Sequence, residues 1–374
     1  EGSIYKRPNG KWSGSISLGY GIDGKRQRRT VYGKSRPEVV RKLNELKQGL
    51  AMGQPVKITQ ITVAQHFYDW LKQKKLNVRL STWCRDESYT RNHIIPYLGH
   101  IKINKLSHRD IISFYLYLQE ETELAPRTIY DIATILKAGL KDATNKNLIT
   151  RNPAELIQKP PKGTKEARCL DQEEIQRFIK EAEGTRLEEL YILMLHTGLR
   201  PGEALGLSWD RIDFDVNRII INQALHEVSG KLHMGEVKTN SGRRTIAISE
   251  SVAQALKNRK KKQLEEKLAT GAKWDNKHNL VFTSPTGKPL SRTSVLKYDL
   301  KKILKKANIE GVTLHTFRHT HASILIYQGA DIKTISRRLG HADITTTLQI
   351  YGHLLPGQDE RAAKLMDDFT SKIK

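Results

Sequence analysis

The sequence predicts a multidomain protein that is mainly α-helical with small β-sheets. Three observations predict this fold class: a length of 374 residues, a period-two apolar pattern in two limited stretches, and apolar residues at helical spacing elsewhere. A basic segment rich in proline divides the chain near residue 160. We predict a sheet with one helix over residues 1–56, a helical bundle over 62–158, a linker over 159–168 and a mixed α+β domain over 169–374.

The first segment is typical of a three-stranded sheet followed by a helix. Apolar and small residues alternate after Trp12, and Asn9-Gly10 and Asp23-Gly24 are hairpin-turn signals. Ser35 and Glu38 form a capping-box pattern that predicts where the helix begins. The strands are rich in cations, which favours contact with DNA by a β-ribbon over a merely solvated edge. The candidate DNA-binding residues are Lys6, Arg7, Lys11, Arg26, Arg28 and Arg29.

The second segment shows helical spacing throughout. Ser107 is placed to cap one helix, and Pro126 is placed to open another. Arginines are scattered over this segment and are equally consistent with ordinary surface charge. Nothing here indicates catalysis, so we expect a compact bundle of four or five short helices.

The last segment begins with helices, changes to strands and becomes helical again. Asp171 and Glu174 form a capping box, and glycine and asparagine turns separate strands predicted at 218–224, up to 238, and at 244–248. From about residue 290 the pattern is helical to the end. Ala362, Leu365, Met366 and Phe369 form an apolar stripe there. This stripe would pack either on a neighbouring subunit, which we predict, or within its own chain.

The charge balance points to a polyanionic partner. Lys and Arg total 64 against 40 Asp and Glu, which gives a net charge of +24 and a pI near 9.8. An excess of this size, spread over the whole length, favours nucleic acid over an inert basic surface.

Cysteine content and hydropathy exclude several classes of protein. Cys84 and Cys169 are the only cysteines, so neither a disulfide framework nor a thiolate zinc cluster is available. A reducing, cytoplasmic compartment fits this usage. The sequence has no apolar stretch of about 18 residues that could span a bilayer, so we expect no membrane partner.

The chemistry-bearing residues are arginines, histidines and a tyrosine, without paired carboxylates. Two guanidiniums can hold one phosphate through bidentate hydrogen bonds, histidines can move protons, and a tyrosine can attack phosphorus. The candidate catalytic residues are Arg200, Lys238, His315, Arg318, His341 and Tyr351, with Glu203 as the expected partner of Arg200. This set predicts chemistry on a phosphodiester without a metal.

Each of these residues also has an ordinary interpretation. His315 and Arg318 share one helix face, which could be a plain basic surface, and Tyr351 could be a core tyrosine. His315 and His319 have the spacing of a zinc site, but position 316 is threonine and no thiolate or third ligand is near. We therefore predict no metal and no cofactor.

The ordered combination resembles the tyrosine recombinase (integrase) family. The matching runs are Thr197 to Glu203, Val237 to Thr239, His315 to Thr320 and Leu339 to Tyr351. Residues 62–157 resemble the core-binding domain of that family. The N-terminal sheet is similar to the arm-site-binding domain of lambda-type phage and conjugative-transposon integrases.

The resemblance implies a role for each residue. Tyr351 would attack the scissile phosphate to give a 3′-phosphotyrosyl link, and Arg200 and Arg318 would bind the non-bridging oxygens. Lys238 would protonate the leaving 5′-oxygen, and Glu203 would orient Arg200. The two histidines divide the remaining work: His315 would assist proton transfer at the tyrosine, and His341 would hydrogen-bond the phosphate.

The resemblance also implies partners and a setting. The protein would integrate and excise a mobile element as a homotetramer on double-stranded DNA, at core and arm sites, through a Holliday junction. A bacterial cytoplasm, an excisionase and a host DNA-bending protein would complete the system. A type IB topoisomerase is disfavoured by the arm-like N-terminal segment. A non-catalytic DNA-binding regulator is disfavoured by the complete set of six residues.

Overall fold

The computed structural model describes residues 2–8, 10–20, 26–51, 61–163, 167–228, 230–237, 240–352 and, near the C-terminus, 363, 366, 367, 370 and 371. The chain forms two compact units, Glu1–Thr164 and Lys165–Lys374. Helices dominate, and the sheets are small and antiparallel, which confirms the predicted fold class. Among the described residues, no helix is both long and apolar enough to cross a membrane.

The first unit opens with a three-stranded antiparallel sheet covered by one helix. The elements are β1 (Gly2–Lys6), β2 (Trp12–Tyr20), β3 (Arg26–Gly33) and α1 (Arg36–Ala51), with β2 in the centre of the sheet. Their small core consists of Ile16, Val39 and Leu43, with Trp12 packed against it. Asn9 of the predicted Asn9-Gly10 turn lies outside the described residues, and on either side of it the amide of Arg7 donates to the carbonyl of Lys11 over 2.8 Å. The predicted turn at Asp23-Gly24 lies outside the described residues.

The helix after this sheet begins with half of the predicted capping box. The amide of Glu38 donates to the Ser35 hydroxyl over 3.4 Å, as predicted. The carboxylate of Glu38, however, accepts from the amide of Lys34 at 2.8 Å instead of from that of Ser35. It also accepts from Lys42 at 2.7 Å, one helical turn onward, so this glutamate joins the N-terminal loop to the helix surface.

A helical bundle completes the first unit. Its helices are α2 (Val63–Asn77), α3 (Leu80–Tyr89), α4 (Ile95–Leu98), α5 (His108–Glu120) and α6 (Pro126–Asn145), with a π-helical turn at Thr90–Ile94 and a 3₁₀ turn at Ile103–Lys105. The predicted signals act where expected: Ser107 forms a capping box with Asp110, and Pro126 occupies the first turn of α6. Phe67, Phe114 and Leu136 lie in its closed apolar core.

The second unit alternates helices with two small sheets. Its helices are α7 (Gln172–Ala182), α8 (Glu188–Thr197), α9 (Pro201–Leu205), α10 (Glu250–Thr270), α11 (Arg292–Val295), α12 (Lys301–Ala307), α13 (Leu314–Tyr327), α14 (Ile332–Leu339) and α15 (Ile344–Tyr351). Its strands are β4 (Ile212–Asp213), β5 (Arg218–Ile221), β6 (Gln223–Val228), β7 (Lys231–Glu236) and β8 (Arg244–Ala247). Strands β4, β5 and β8 form one sheet, and β6 pairs with β7 in a separate hairpin.

The strand predicted at 218–224 is wrong in its second half. The chain leaves the first sheet after Ile221, and Gln223 begins the β6–β7 hairpin. The side-chain amide of Gln223 donates to the carbonyl of Gly206 and to the hydroxyl of Ser208, both over 3.0 Å. These tertiary contacts hold the chain at the start of a new strand, at the point where Asn222 and Gln223 interrupt the run of isoleucines.

An aromatic cluster fixes α13 against α7 and α8. The ring of Phe317 lies 5.0 Å from that of Phe178 and 5.6 Å from that of Tyr191, centroid to centroid. Phe317 precedes Arg318, so this packing carries the arginine to the C-terminal end of α8. The fold thereby brings the motifs at 198–203 and 315–320 together.

Candidate active site

Arg200 lies in the sharp connection between α8 and α9. Gly198 ends α8 in the left-handed conformation, with φ of 64°, and a β-carbon there would come within 2.6 Å of the His321 ring. Pro201 then starts α9, and Glu203 reaches back to its beginning. One Glu203 oxygen accepts from the Arg200 guanidinium at 2.9 Å and the other from the Arg200 amide at 3.0 Å. Glu203 therefore fixes both the backbone and the side chain of Arg200.

Arg318 is held deep in the same site. Its side chain donates to the carbonyl of Gly198 over 2.8 Å and to that of Leu339 over 2.7 Å. Burial lowers the pKa of Arg318 to about 9, and the positive charge of Arg200 adds to the effect. The guanidinium stays charged at neutral pH, and the negative charge of Glu203 only partly offsets the effects of burial and of Arg200. A site of this kind favours an incoming anion such as a phosphate.

The two predicted histidines border these arginines. Nδ1 of His341 lies 2.8 Å from the Thr347 hydroxyl. Burial, followed by the charges of Arg318 and Arg200, lowers the pKa of His341 to about 4. Desolvation and then the charge of Arg292 lower that of His315 to about 4 as well. Because the His315 side chain is exposed, the charges of the neighbouring arginines contribute more to its lowered pKa than desolvation does. Both rings are neutral near pH 7 and can exchange protons when a phosphate arrives.

Tyr351 is buried at the end of α15 and only 1% exposed. It packs against an apolar cluster that includes Ala322, Ile335 and Leu339. Ile344 and Leu348 on the same helix are exposed, and α15 buries Thr347 together with Tyr351, one turn apart. Burial raises the pKa of the Tyr351 phenol, so the hydroxyl is neutral and needs a proton acceptor before it can attack.

Sequence reasoning did not identify two residues of this site. Nδ1 of His319 lies within hydrogen-bond distance of the Tyr351 hydroxyl, at 2.7 Å, whereas its position in the sequence indicates only the spacing of a zinc site. Arg244 binds both oxygens of Glu203, at 3.2 and 2.8 Å. The run that contains His315 and Arg318 gave a weak signal for His319. Arg244 stands in an ordinary strand and gave none.

The remaining predicted residues are placed differently. Lys238 lies outside the described residues, as does most of the C-terminal stripe. Lys6, Lys11 and Arg28 are exposed on the N-terminal sheet, and Arg7 stacks on the Tyr32 ring, 4.7 Å from its centroid. Arg26 and Arg29 belong to β3.

His321, which lies outside the predicted set, is engaged on both ring nitrogens by protein groups. Nδ1 of His321 donates to the carbonyl of Leu195 over 2.9 Å, and its Nε2 accepts from Arg338 at 3.2 Å. No group of three or more His, Cys, Asp or Glu side chains within the described ranges is arranged to hold a metal ion.

Comparison with family models gives two matches. Residues 168–357 match the phage integrase family, and residues 57–119 match the N-terminal SAM-like domain of phage integrases. The first match covers the entire candidate site, from Arg200 to Tyr351.

Similar proteins are found along nearly the full length. A XerC-like tyrosine recombinase of Caldanaerobacter subterraneus is 29% identical, with 95% of each chain covered. The ICEBs1 integrase of Bacillus subtilis is 27% identical over 98% of this chain and 99% of its own.

Solved structures share the fold. The Tn1549 transposon integrase in complex with transposon right end DNA gives a TM-score of 0.71 at 26% identity, over 82% of this chain and 99% of that one. A lambda integrase tetramer bound to a Holliday junction gives 0.58 at 17% identity, over 91% and 96%.

Proposed function

The chain belongs to the phage integrase family, and we propose that it is a site-specific DNA recombinase that integrates and excises a mobile element. It breaks and rejoins DNA through a covalent link between Tyr351 and the 3′-phosphate of one strand. The observation that carries this proposal is the convergence of Arg200, Arg318, two neutral histidines and a buried tyrosine on one site.

The proposed reaction exchanges one phosphodiester for another. The Tyr351 oxygen forms a bond to phosphorus, the bond from phosphorus to the 5′-oxygen breaks, and the 5′-oxygen leaves with a proton. No bond energy is lost in this step, so a new 5′-hydroxyl can reverse it and seal a different strand. The reaction therefore needs neither ATP nor an oxidant.

The two arginines stabilise the charge that grows on the phosphate. Each has guanidinium donors fixed on backbone carbonyls, so the charge is oriented before the substrate arrives. Fixed donors in a partly buried site act more strongly than the same groups in water, because they need no reorganisation during the reaction. We assign Arg200 and Arg318 to the non-bridging oxygens, and His341, beside them, to a hydrogen bond with the same phosphate.

The proton of Tyr351 has two candidate acceptors. His319 is hydrogen-bonded to the hydroxyl over 2.7 Å. His315 lies one helical turn away on α13 and is exposed, so a bound phosphate can reach it. We assign His319 to holding the hydroxyl and His315 to proton transfer at the bound phosphate. Lys238 is proposed as the acid that protonates the 5′-oxygen.

The proposed assembly is a tetramer on two DNA duplexes. Its support is the family membership, the strong positive charge and the structural likeness to a lambda integrase tetramer on a Holliday junction. The predicted division into residues 1–56, 62–158 and 169–374 assigns arm-site binding to the first, core-site binding to the second and catalysis to the third. An excisionase and a host DNA-bending protein are proposed accessory partners.

Covalent capture tests the proposal directly. The protein is incubated with DNA of its source element, quenched in denaturant and digested with nuclease, and the nucleotide adduct is mapped by mass spectrometry. We expect an adduct on Tyr351 that is absent from Tyr351→Phe. The DNA attached to the protein also gives the recognition sequence. A synthetic nicked duplex of that sequence, called the captured duplex below, then serves as the substrate for cleavage assays.

The outcomes separate the competing functions. Adducts spread over unrelated sequences would indicate a topoisomerase activity. Tight binding without an adduct, including on nicked DNA that traps cleavage, would indicate a regulator. An adduct on any other residue would overturn the assignment of Tyr351.

A further inference from the structure

Three consecutive backbone carbonyls at the end of α14 each bind a different arginine. The carbonyl of Arg338 accepts from Arg244 Nε at 2.7 Å, that of Leu339 from Arg318 at 2.7 Å, and that of Gly340 from Arg200 at 3.1 Å. The last carbonyls of a helix have no partner within the helix and carry partial negative charge. They therefore gather three cations that would otherwise repel one another.

Arg244 differs from the other two arginines because protein groups take up its donors. Beyond its bond to the Arg338 carbonyl, it binds both oxygens of Glu203 and donates to the carbonyl of Gly242 over 3.0 Å. Among the described residues, Arg244 makes four side-chain hydrogen bonds, whereas Arg200 and Arg318 make two each. Arg200 and Arg318 therefore keep most of their donors for a substrate, and Arg244 does not.

Glu203 is shared between these two arginines. It is buried, and one of its oxygens accepts from both guanidiniums, at 2.9 Å from Arg200 and 3.2 Å from Arg244. If Arg244 were absent, the carboxylate would lose two of its hydrogen bonds and would attract Arg200 more strongly. Arg200 would then be drawn toward Glu203 and away from the phosphate.

We propose that Arg244 is a positioning residue, which shares the charge of Glu203 and fixes residues 338–340 so that Arg200 is held at the phosphate. This inference rests on the proposed function, and it adds a residue that acts through Arg200 without touching DNA.

The conformation of Gly340 supports the same arrangement. Its φ is 66°, and a β-carbon there would lie 2.8 Å from Nη1 of Arg244 and 3.1 Å from the carbonyl of Ser241. A side chain at this position would displace Arg244 or the end of α14. The close approach of this backbone to Arg244 explains why the chain needs glycine between Leu339 and His341.

The electrostatics provide a measurable signature. Burial alone would raise the pKa of Glu203, but the hydrogen bonds and charge of Arg244, together with Arg200, hold it below its ordinary value. Loss of Arg244 therefore raises the pKa of Glu203. Protonated Glu203 cannot hold Arg200 by charge, so the acid side of the cleavage profile moves to higher pH.

The test measures single-turnover cleavage of the captured duplex at saturating protein, across pH, together with DNA affinity. For Arg244→Met we expect cleavage to slow on the order of 100-fold with unchanged affinity, since a small misplacement of a phosphate ligand has this effect. The acid side of the profile shifts to higher pH. The double variant Glu203→Gln with Arg244→Met is also slow but lacks that shift, because the titrating group is gone.

The neighbouring residue supplies a matched control. Arg243 pairs with Glu236 at 2.7 Å, and its side chain is 54% exposed. Arg243→Met removes the same charge from the adjacent position, and we expect both the cleavage rate and the pH profile of the wild type.

Two results would overturn the proposal. One is cleavage by Arg244→Met at the wild-type rate. The other is slow cleavage with an unshifted pH profile, because the loss of rate would then not act through Glu203. If Arg244→Met fails to fold, Arg244→Lys decides, since it keeps the charge and loses the planar fork: wild-type cleavage by this variant is the overturning result. Absence of a Tyr351 adduct in the wild type would instead sink the proposed function itself.

Discussion

Among the described residues of the second unit, two triads of one glutamate and two arginines serve different purposes. In the first triad, Arg200 and Arg244 flank Glu203. In the second, Arg259 binds Glu266 at 3.1 and 2.7 Å, and Arg186 binds it from the other side at 2.9 and 3.0 Å. The charges are the same in both, so the triad alone does not make a functional site.

The difference lies in what surrounds each triad. Arg259 is fully buried and donates to the carbonyl of Val281, and Arg186 donates to that of Thr283. These contacts fasten α10 to the segment before α11. In the first triad, Arg200 and Arg244 bind backbone carbonyls at the end of α14, next to His341. The Arg200 side chain is 36% exposed to solvent. The triad of the fully buried Arg259 stabilises the fold, whereas the triad of Arg200, which lies beside proton-transfer groups, can bind substrate.

The largest effect on stability is expected from the triad of Arg259. Arg259→Ala removes a fully buried guanidinium and leaves the partly buried Glu266 with Arg186 as its partner, and we expect the free energy of unfolding to fall by about 3 kcal/mol. Urea denaturation followed by circular dichroism measures this change. Cleavage per folded molecule should stay at the wild-type rate, and a specific loss of cleavage would break the distinction between the two triads.

At the triad of Arg200, we expect a loss of cleavage activity with little loss of stability. Arg200→Ala should slow cleavage of the captured duplex by about 10²–10³-fold, or roughly 3–4 kcal/mol in activation free energy, because one oriented donor pair is lost. The free energy of unfolding and the DNA affinity should change little, since Arg200 is partly exposed. Arg186→Ala is the matched control and should retain the cleavage rate. Recombination by Arg200→Ala at the wild-type level would refute the role of this arginine.

A smaller effect is expected on the pH dependence of folding stability. It comes from the buried His321 and distinguishes this residue from the two triads. Burial, with the charge of Arg338 adding to it, lowers the pKa of His321 from 6.5 to about 4. Between these values the unfolded chain binds a proton that the folded chain does not, so stability falls as pH drops from about 6.5 to 4. The loss is at most about 3 kcal/mol. Glu203 and Glu266 have pKa values lowered from 4.5, so their contribution persists down to about pH 4.5 and declines only below it.

Urea denaturation midpoints at pH 7.5, 6 and 5 test this assignment. His321→Asn keeps a donor for the Leu195 carbonyl and removes the titration. The variant should lose less stability on acidification than the wild type. An identical pH dependence in the two proteins would show that other groups govern acid stability.

Local signals in the sequence predicted the elements that local interactions form. The capping boxes at Ser107 and Asp171 and the proline at the start of α6 act within one turn of helix, so neighbouring residues are sufficient to specify them. The mainly helical fold class and the family were also predictable, because each motif is a short run with a fixed residue order.

The tertiary structure alone decided how those motifs are completed. Arg318 binds the carbonyl of Gly198, 120 positions away, and Arg244 binds Glu203, 41 positions away. The bond between His319 and Tyr351 spans 32 positions. No pattern along the chain encodes such pairs, because their partners are backbone carbonyls or common charged residues. The sequence by itself determined the family, the helices and the residue types of the site. Folding decided which arginine faces the substrate, since burial and hydrogen-bond partners are properties of the packed chain.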